Sequence, residues 1–418
     1  MKRRLLTLSL ALILCVGCLL VPTAAERLSD ATAAYAEDAM LIKSGYLGKT
    51  VSFREKDFKQ ALGTSDLKMI TVTSLPDASE GSLLLSSSRV GKGDSIPASA
   101  LDLLKFVPTN ETVEESGFTF TAGNVAGGAE ITCRIRLVEK KNAAPTVSGG
   151  ALSVLTQADI SYFGTLTASD ADGDGILFRV TSYPEHGTLT LIDRSTGNFR
   201  YTPDEGYTGK DVFSYVARDE YGHFSTESQV SVSVKKRSSS LVYEDLSDTE
   251  YELPAIALSD AGVMLGRLSG VGMYFDAEKT VSRGEFTAMA MKVAGIAPSP
   301  TAFDTSFDDN GKIPASVRPY VATAQRMGVV RGSFNGDGLY FEADRPVTAS
   351  EAAVIVCKLM DVTCDESAAV FAMGGDVPVW AWSAVGTLHT MGALDEPTSN
   401  EPLSRGEVAC LLYTFLEK

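Results

Sequence analysis

At 418 residues the chain exceeds one ordinary compact domain, and its 44% hydrophobic and 22% charged content is that of a soluble, globular protein. Its 53 acidic against 37 basic residues leave a net charge of −16, which argues against nonspecific binding to nucleic acid or an anionic membrane. Any anionic ligand must therefore be held by a few placed cations.

The first residues read as a processing signal. Lys2, Arg3 and Arg4 make a basic start, Leu5 to Leu20 an apolar run, and Thr23-Ala24-Ala25 a small-residue cleavage site, so residues 1–25 are expected to be a signal peptide. The apolar run is short for a membrane span, no second one follows, and the mature chain is expected to carry no transmembrane segment. Cys18 after Gly17 would suit a lipoprotein cysteine, but Cys15 instead of Leu stands three before it, which favours plain secretion. The Cys15/Cys18 pair leaves with the leader. Cys133, Cys357, Cys364 and Cys410 remain, too scattered for a disulfide scaffold; Cys357 and Cys410 sit in apolar helical runs as small buried hydrophobes.

From about Lys49 to Val234 the chain reads as strands. Short alternating runs such as Phe178–Tyr183 and Val230–Val234 are separated by Gly, Pro, Asp and Asn clusters. The segment holds an internal repeat: MITVTSLPDASEGSLLL from Met69 matches LFRVTSYPEHGTLTL from Leu177, and LLKFVPTNETVEESGFTFTA from Leu103 matches GNFRYTPDEGYTGKDVFSYVA from Gly197. Phe118 and Phe120 in one copy, like Phe213 and Tyr215 in the other, fall on one strand face. Two β-sandwiches are expected, residues 26–140 and 141–234.

The second copy contains ASDADGDGILF, in which Asp170, Asp172 and Asp174 mimic the opening of an EF-hand loop. Thr181 stands where the bidentate Glu is needed and a strand follows instead of a helix, so the EF-hand is rejected. The plain reading is a solvated Asp-Gly turn. The alternative is a calcium ion held by Asp170, Asp172 and Asp219, and the first copy lacks such a cluster. With PEHGTL, FRYTPDEGYTGKDVFSY and ARDEYG, the segment from Asn142 to Val234 resembles bacterial cadherin-like or immunoglobulin-like surface modules.

KKRSSS at 235–240 reads as a linker, and beyond it the periodicity becomes helical. VSRGEF (Val281 to Phe286), VTASEA (Val347 to Ala352) and LSRGEV (Leu403 to Val408) open three copies of one unit. Ser282 with Glu285, Thr348 with Glu351 and Ser404 with Glu407 fit capping boxes. After them, Phe286, Met289, Ala290 and Val293, then Ala352, Ile355, Val356 and Leu359, then Val408, Leu411, Leu412 and Phe415 have the spacing of a buried helix face. Upstream of each lies a second helical phrase stopping at Gly262, Gly328 or Gly392, and Phe275 and Phe341 each stand seven before the cap in the first two copies. One such unit cannot bury its face alone, so the three should pack together.

This part resembles the S-layer homology domain, in three motifs at about 241–297, 304–362 and 371–418. The resemblance rests on the openings Tyr243-Glu244-Asp245, Phe307-Asp308-Asp309 and Asp376-Val377, on Trp380-Ala381-x-x-Ala384-Val385, and on the turns Gly262-x-x-x-Gly266 and Gly328-x-x-x-Gly332. Tyr251 and Ser316 replace the Trp in the first two copies, and Glu396 replaces the second turn Gly in the third. The resemblance implies an all-α bundle over 241–418 that binds a secondary cell-wall polysaccharide, often pyruvylated. It places the ligand at Asp245, Gly266, Arg283, Asp309, Gly332, Asp376, Trp380 and Arg405. A guanidinium fork at a helix N-terminus with free N–H groups suits a carboxylate, and the recurrence of Arg in two copies favours a ligand over a surface position. Ala349 in the middle copy leaves that copy mainly scaffold.

The leading reading is an exported protein, anchored non-covalently on the cell wall and displaying two adhesion or spacer sandwiches that could engage a protein partner or a second copy. No catalysis is expected: His186, His223 and His389 are the three histidines, and no H-E-x-x-H, G-x-S-x-G or P-loop occurs. An S-layer lattice subunit, and a wall-bound enzyme with its site in the β modules, are the alternatives.

Overall fold

The computed structural model describes residues 40–123, 129–147, 152–299, 301 and 304–416. The leader and its two cysteines lie outside the described residues. No helix among those described is long and apolar enough to cross a membrane. The chain divides into two compact units. One runs to Thr146 and takes in Ala168–Leu177 and Ala217–Thr226; the other holds Val147–Thr167, Phe178–Val216 and Glu227 onward.

The first β domain has strands β1 (Met40–Tyr46), β2 (Val51–Ser52), β3 (Met69–Ser74), β4 (Gly81–Leu85), β5 (Ser88–Arg89), β6 (Ser95–Pro97), β7 (Leu104–Pro108), β8 (Glu115–Ala122) and β9 (Glu130–Val138). They form sheets β1-β9-β8-β3-β6 and β2-β7-β4-β5, with β1 parallel to β9. Strict alternation along β8 turns Phe118, Phe120 and Ala122 inward, and β9 adds Ile131, Cys133, Ile135 and Leu137. These meet Val51, Leu83 and Phe106 from the other sheet in one core. The all-β expectation is corrected here: helix α1 (Glu55–Leu62) inserts after β2. Its Phe58, Ala61 and Leu62 lie on one helical face and are buried, with Phe58 edge-on to Phe120 at 5.3 Å. Gly63, at φ +63°, stops it in the left-handed region.

The second β domain repeats the plan with β10 (Thr146–Val147), β11 (Leu152–Gln157), β12 (Tyr162–Thr165), β13 (Ala168–Ser169), β14 (Ile176–Ser182), β15 (Gly187–Asp193), β16 (Asn198–Pro203), β17 (Gly209–Asp219) and β18 (Ser228–Lys235). Sheet β11-β18-β17-β14 mirrors β1-β9-β8-β3, down to the parallel pairing of its first two strands, and β12-β16-β15 mirrors β2-β7-β4. The repeat legible at Met69 and Leu177 is therefore a repeat of topology. Phe199 meets Phe213 across the two sheets at 5.3 Å. The following Ser-rich stretch is pinned on both sides. Lys235 ends β18, Ser238 bonds to Gln157 and Asp260, and Arg237 donates to the Leu241 carbonyl.

The C-terminal part consists of three helix pairs: α2 (Glu252–Asp260) with α3 (Arg283–Val293), α4 (Arg318–Arg326) with α5 (Ala349–Leu359), and α6 (Trp382–Thr390) with α7 (Arg405–Leu416). The first helix of each pair stops at Gly262, Gly328 or Gly392, at φ +67°, +72° and +69°. Lys292 and Lys358 then donate to the carbonyls of Gly262 and Gly328, placing a cation at each helix C-terminus. Ser282 and Thr348 make full capping boxes with Glu285 and Glu351, and Ser404 exchanges the same bonds with Glu407.

The predicted faces of α5 and α7 are buried throughout. In α3 the stripe is wider than predicted: Ala288 and Met291 are buried, while Met289 and Val293 are only half-buried. The all-α expectation is also corrected. The loops between the Gly stop and the cap carry hairpins β19 (Arg267–Ser269)–β20 (Gly272–Tyr274) and β21 (Ser333–Phe334)–β22 (Leu339–Tyr340). The third loop, 12 residues from Gly392 to Ser404 against 20 in the other copies, carries none.

The three pairs close into a ring. Val347 N donates to Val281 O (2.9 Å), Leu403 N to Val347 O (2.9 Å) and Val281 N to Leu403 O (3.2 Å). All three side chains are buried in the shared core. They are the first letters of the three related hexapeptides.

Candidate functional site

Each joint of the ring sets the start of one helix against the loop of another copy. Arg283 opens α3, and its backbone N–H donates to Arg345 O, with the Gly284 N–H on Ala343 O. Arg405 and Gly406 do the same to Lys279 O and Ala277 O, and Ala349 and Ser350 to Glu401 O and the Asn400 side chain. The first-turn amides expected to await an anion are thus already taken within the fold.

The arginine side chains are committed too. Arg283 is 6% exposed; its Nη1 and Nη2 donate to Phe341 O (2.7 Å) and Arg331 O (2.8 Å), and its guanidinium lies 4.5 Å over the Phe341 ring. Its Nε is 3.6 Å from Glu351, an ion-pair distance only. Burial, partly offset by the Glu351 charge, lowers its pKa from the usual arginine value. Glu351 is held in turn by both prongs of Arg345, at 2.6 and 2.9 Å. Arg405 repeats the arrangement half-buried, donating to Phe275 O and Leu265 O and lying 4.7 Å over Phe275. The reading of Arg283 as an open carboxylate fork is corrected. It is a clamp between copies, and Arg405 is its more exposed counterpart.

The remaining positions fall into three separate groups. At the joint between third and first copies, Asp245 accepts from Phe275 N and Asp276 N, and Gly266 packs under the Tyr243 ring, where a Cβ would collide. Arg405 closes this group. At the joint between first and second copies, buried Asp309 accepts from Phe341 N and Glu342 N, and Gly332 lies against Phe307. At the third joint, Asp376 accepts from Asn400 N, and the turn bearing Trp380 packs on α5. Trp380 itself is 62% exposed, whereas Trp382, unremarked in the sequence, donates its indole N–H to Val377 O. Trp380 and Arg405, neighbours in the motif logic, stand at different joints.

Around the third-to-first joint lies a set that the sequence did not single out. Arg267 is bidentate to Asp276 (2.6 and 2.9 Å) and sits over Tyr274, Lys279 also reaches Asp276, and Leu265, Leu268 and Val271 are exposed. Hydrogen bonds from Arg267 and Lys279 hold the Asp276 carboxyl well below its usual range. The hairpin turn Ser269-Gly270-Val271-Gly272 was the available signal.

The acidic loop belongs to the first compact unit. Ligand oxygens of Asp170, Asp172 and Asp174 lie within 4.8 Å of one another. Asp172 accepts from Ala143 N (2.6 Å), and its own N–H donates to Asp170 (2.8 Å). One buried oxygen each of Asp170 and Asp174 has no hydrogen-bond partner among the described residues. Burial raises the Asp174 pKa, Asn142 partly offsets this, and Asp170, Asp219 and Glu220 add to it. Asp219, expected as the third ligand, accepts instead from Tyr221 N, His223 N and Asn142, with His223 Nδ1 at 3.0 Å. Its oxygens are satisfied, and Asp174 takes its place in the cluster.

Against known proteins, residues 142–236 match the family model of the bacterial cadherin-like domain. The second β domain is thus a cadherin-like module. No curated protein matches the chain. Similar solved structures include an endo-fucoidan hydrolase from glycoside hydrolase family 107 (22% identity, 41% of this chain and 24% of that one, TM-score 0.21). Others are the fibronectin(III)-like modules of Clostridium thermocellum CbhA (14%, 47% and 91%, TM-score 0.21) and Drosophila N-cadherin EC1-3 (13%, 49% and 62%, TM-score 0.22). The chain spans only 24% of the length of the hydrolase, and likenesses this distant lend it no activity.

Proposed function

We propose that the protein is exported and held non-covalently on cell-wall polysaccharide by its three C-terminal helix pairs, displaying the two β-sandwiches as adhesion or spacer modules. The observation carrying this reading is the closed ring of three capped helix pairs, whose Gly stops and S/T-x-x-E helix starts recur in the order that the S-layer homology resemblance implies. The joint between third and first copies is the polymer-facing one. Arg405, Arg267 and Lys279 gather there beside exposed Leu268 and Val271, a suitable wall for a pyruvylated sugar on an otherwise acidic protein. The joint at Trp380 offers a stacking surface without a guanidinium. The test is co-sedimentation of the full chain with purified sacculi, before and after removal of ketal-linked pyruvate. No sedimentation in either condition would sink the anchoring reading. Arg267→Ala with Lys279→Ala should weaken sacculus binding about tenfold, with circular dichroism showing the helical content kept although Asp276 loses both partners.

A second reading concerns the acidic loop. The all-oxygen cluster with two orphaned buried oxygens fits a calcium ion, which Asp170, Asp172 and Asp174 would hold, tying the loop to Ala143. Calcium at a hundredfold excess over Kd should then stabilise the first unit by about 2.7 kcal/mol. Asp174→Asn should abolish that shift. An unchanged melting curve in calcium returns the loop to a solvated turn.

A further inference from the structure

No local motif gives any of the three histidines a chemical role, yet the fold carries one of them to a serine 179 residues away. Within the first compact unit, the loop that follows β17 lies against the outer edge of β1. A Cβ at Gly222 would strike the Ile42 carbonyl, and Gly222 takes the left-handed φ of +86° that lets the backbone come so near. Arg218 donates to Met40 O, and Arg136 in β9 holds the loop by an ion pair to Glu220 (3.1 Å) and by lying 5.4 Å over the Tyr221 ring. His223 is thereby set with Nε2 at 2.9 Å from Ser44 Oγ. Its Nδ1 lies 3.0 Å from Oδ2 of Asp219, whose side chain is fully buried. Asn142 donates to that same oxygen (2.8 Å), and the N–H groups of Tyr221 and His223 hold Oδ1 (2.9 and 2.8 Å).

A carboxylate can only accept, so Nδ1 carries the ring proton. Nε2 of the neutral ring is then the acceptor, and the Ser44 hydroxyl donates to it. Carboxylate, imidazole and hydroxyl in this order activate a serine. The serine opens on a cleft of about 360 Å³ whose walls offer hydrogen-bonding groups from Lys43, Lys56, Gln60, Tyr221 and Ser225. β1 is the edge strand of its sheet, and alternate residues of such a strand turn their backbone groups outward. The Leu47 N–H turns inward to Val138 O, whereas the Met40 and Ile42 carbonyls face the loop. Ser44 shares the parity of Met40 and Ile42, so its N–H points outward beside its own hydroxyl, where a developing oxyanion needs a donor.

We propose that Ser44, His223 and Asp219 form an esterase site that cleaves a small acyl group from a hydroxyl-rich alcohol, the leaving group that the polar cleft suits. Ser44 Oγ attacks the ester carbonyl carbon while its proton passes to His223 Nε2. The tetrahedral intermediate breaks its bond to the alcohol oxygen, which takes the proton from Nε2 and departs, leaving an acyl-serine. Water then adds to the acyl carbon, giving a proton to Nε2; the bond to Ser44 Oγ breaks, the proton returns to it, and the carboxylic acid leaves. Ser44 and His223 are the catalytic residues, and Asp219 is a positioning residue that fixes the tautomer and the ring. The site lies within the first compact unit and depends on neither the helical ring nor the anchoring reading.

The test is to treat the purified full chain with a fluorophosphonate, which loses fluoride to an activated serine, and to map the adduct by mass spectrometry. A phosphonyl group on Ser44 in the folded chain, and none on Ser44 in urea, is the expected result. Hydrolysis of 4-nitrophenyl acetate should fall about a hundredfold in Ser44→Ala and in His223→Gln, with circular dichroism showing the strands kept. Asp219→Asn leaves an oxygen for the loop amides but turns an N–H toward the ring. It should lower kcat about a hundredfold with KM kept, a split that looser packing of the cleft would not give. An unchanged kcat would remove Asp219 from its positioning role. No adduct on Ser44 in the folded chain, or hydrolysis by Ser44→Ala at the rate of the unaltered protein, would overturn the site and leave His223 as a bolt between the loop and β1.

Discussion

Two joints of the ring carry an arginine and the third does not, and the difference is explained by what each faces. Arg283 lies on Phe341 and Arg405 on Phe275, while Ala349 faces the third copy's short loop, where Pro397 stands at the position of those phenylalanines. The arginine is present where the neighbouring copy offers an aromatic ring and a hairpin with two carbonyls to clamp. Where the loop is too short to form the hairpin, the Asn400 side chain meets the helix start and a small residue suffices. A motif residue that recurs with its partner in another copy is first a residue of assembly. Only its exposed edge is left for a ligand.

Substitutions at the joints separate assembly from ligand reading. Arg283→Ala should cost about 3 kcal/mol in denaturant unfolding, since it strips the buried Phe341 carbonyl and the Arg331 carbonyl of a charged donor and removes the cation over Phe341. Unchanged stability would return Arg283 to the ligand-reading role. Next in size, Gly332→Ala should cost about 2 kcal/mol by forcing a Cβ onto Phe307 and Leu339. A neutral result would mean that the aromatic opening is not packed on that turn. Arg405→Ala, at a half-exposed clamp, should cost about 1 kcal/mol and reduce sacculus binding more than Arg283→Lys does.

The smallest effect is in the pH profile. Burial pushes the Glu351 carboxyl up, but the Arg345 hydrogen bonds and the Arg283 charge more than offset this, leaving its pKa below the ordinary value of 4.5. A depressed carboxylate contributes stability that is present above its unfolded pKa and lost as pH falls through the folded one. Stability should therefore decline on acidification below about pH 4.5, and Glu351→Gln should flatten that limb of the curve.

Much of the architecture was legible in the chain. The alternation that turned Phe118, Phe120 and Phe213 inward, the S/T-x-x-E caps and the glycines at 262, 328 and 392 are local signals, and local signals survive folding. The signals missed were relational. Phe275 and Phe341 were visible seven residues before their caps, but their pairing with arginines of other copies depends on how the ring closes. The aliphatic first letters Val281, Val347 and Leu403 were equally plain, and nothing in one copy says that their backbones bond to one another. Residue type alone points to Asp219 as a ligand, but neighbouring amides and Asn142 claim its oxygens.

The three backbone bonds at the centre also set a temporal order. Because Val281 closes on Leu403, one or two helix pairs alone leave open backbone groups and an uncovered apolar face. Bringing together positions so distant in sequence carries a loop-closure entropy that is recovered only when the last pair arrives. The C-terminal part should thus remain unstructured while it is being synthesised, and gain its shape in one step once α7 is free to swing back onto the first copy.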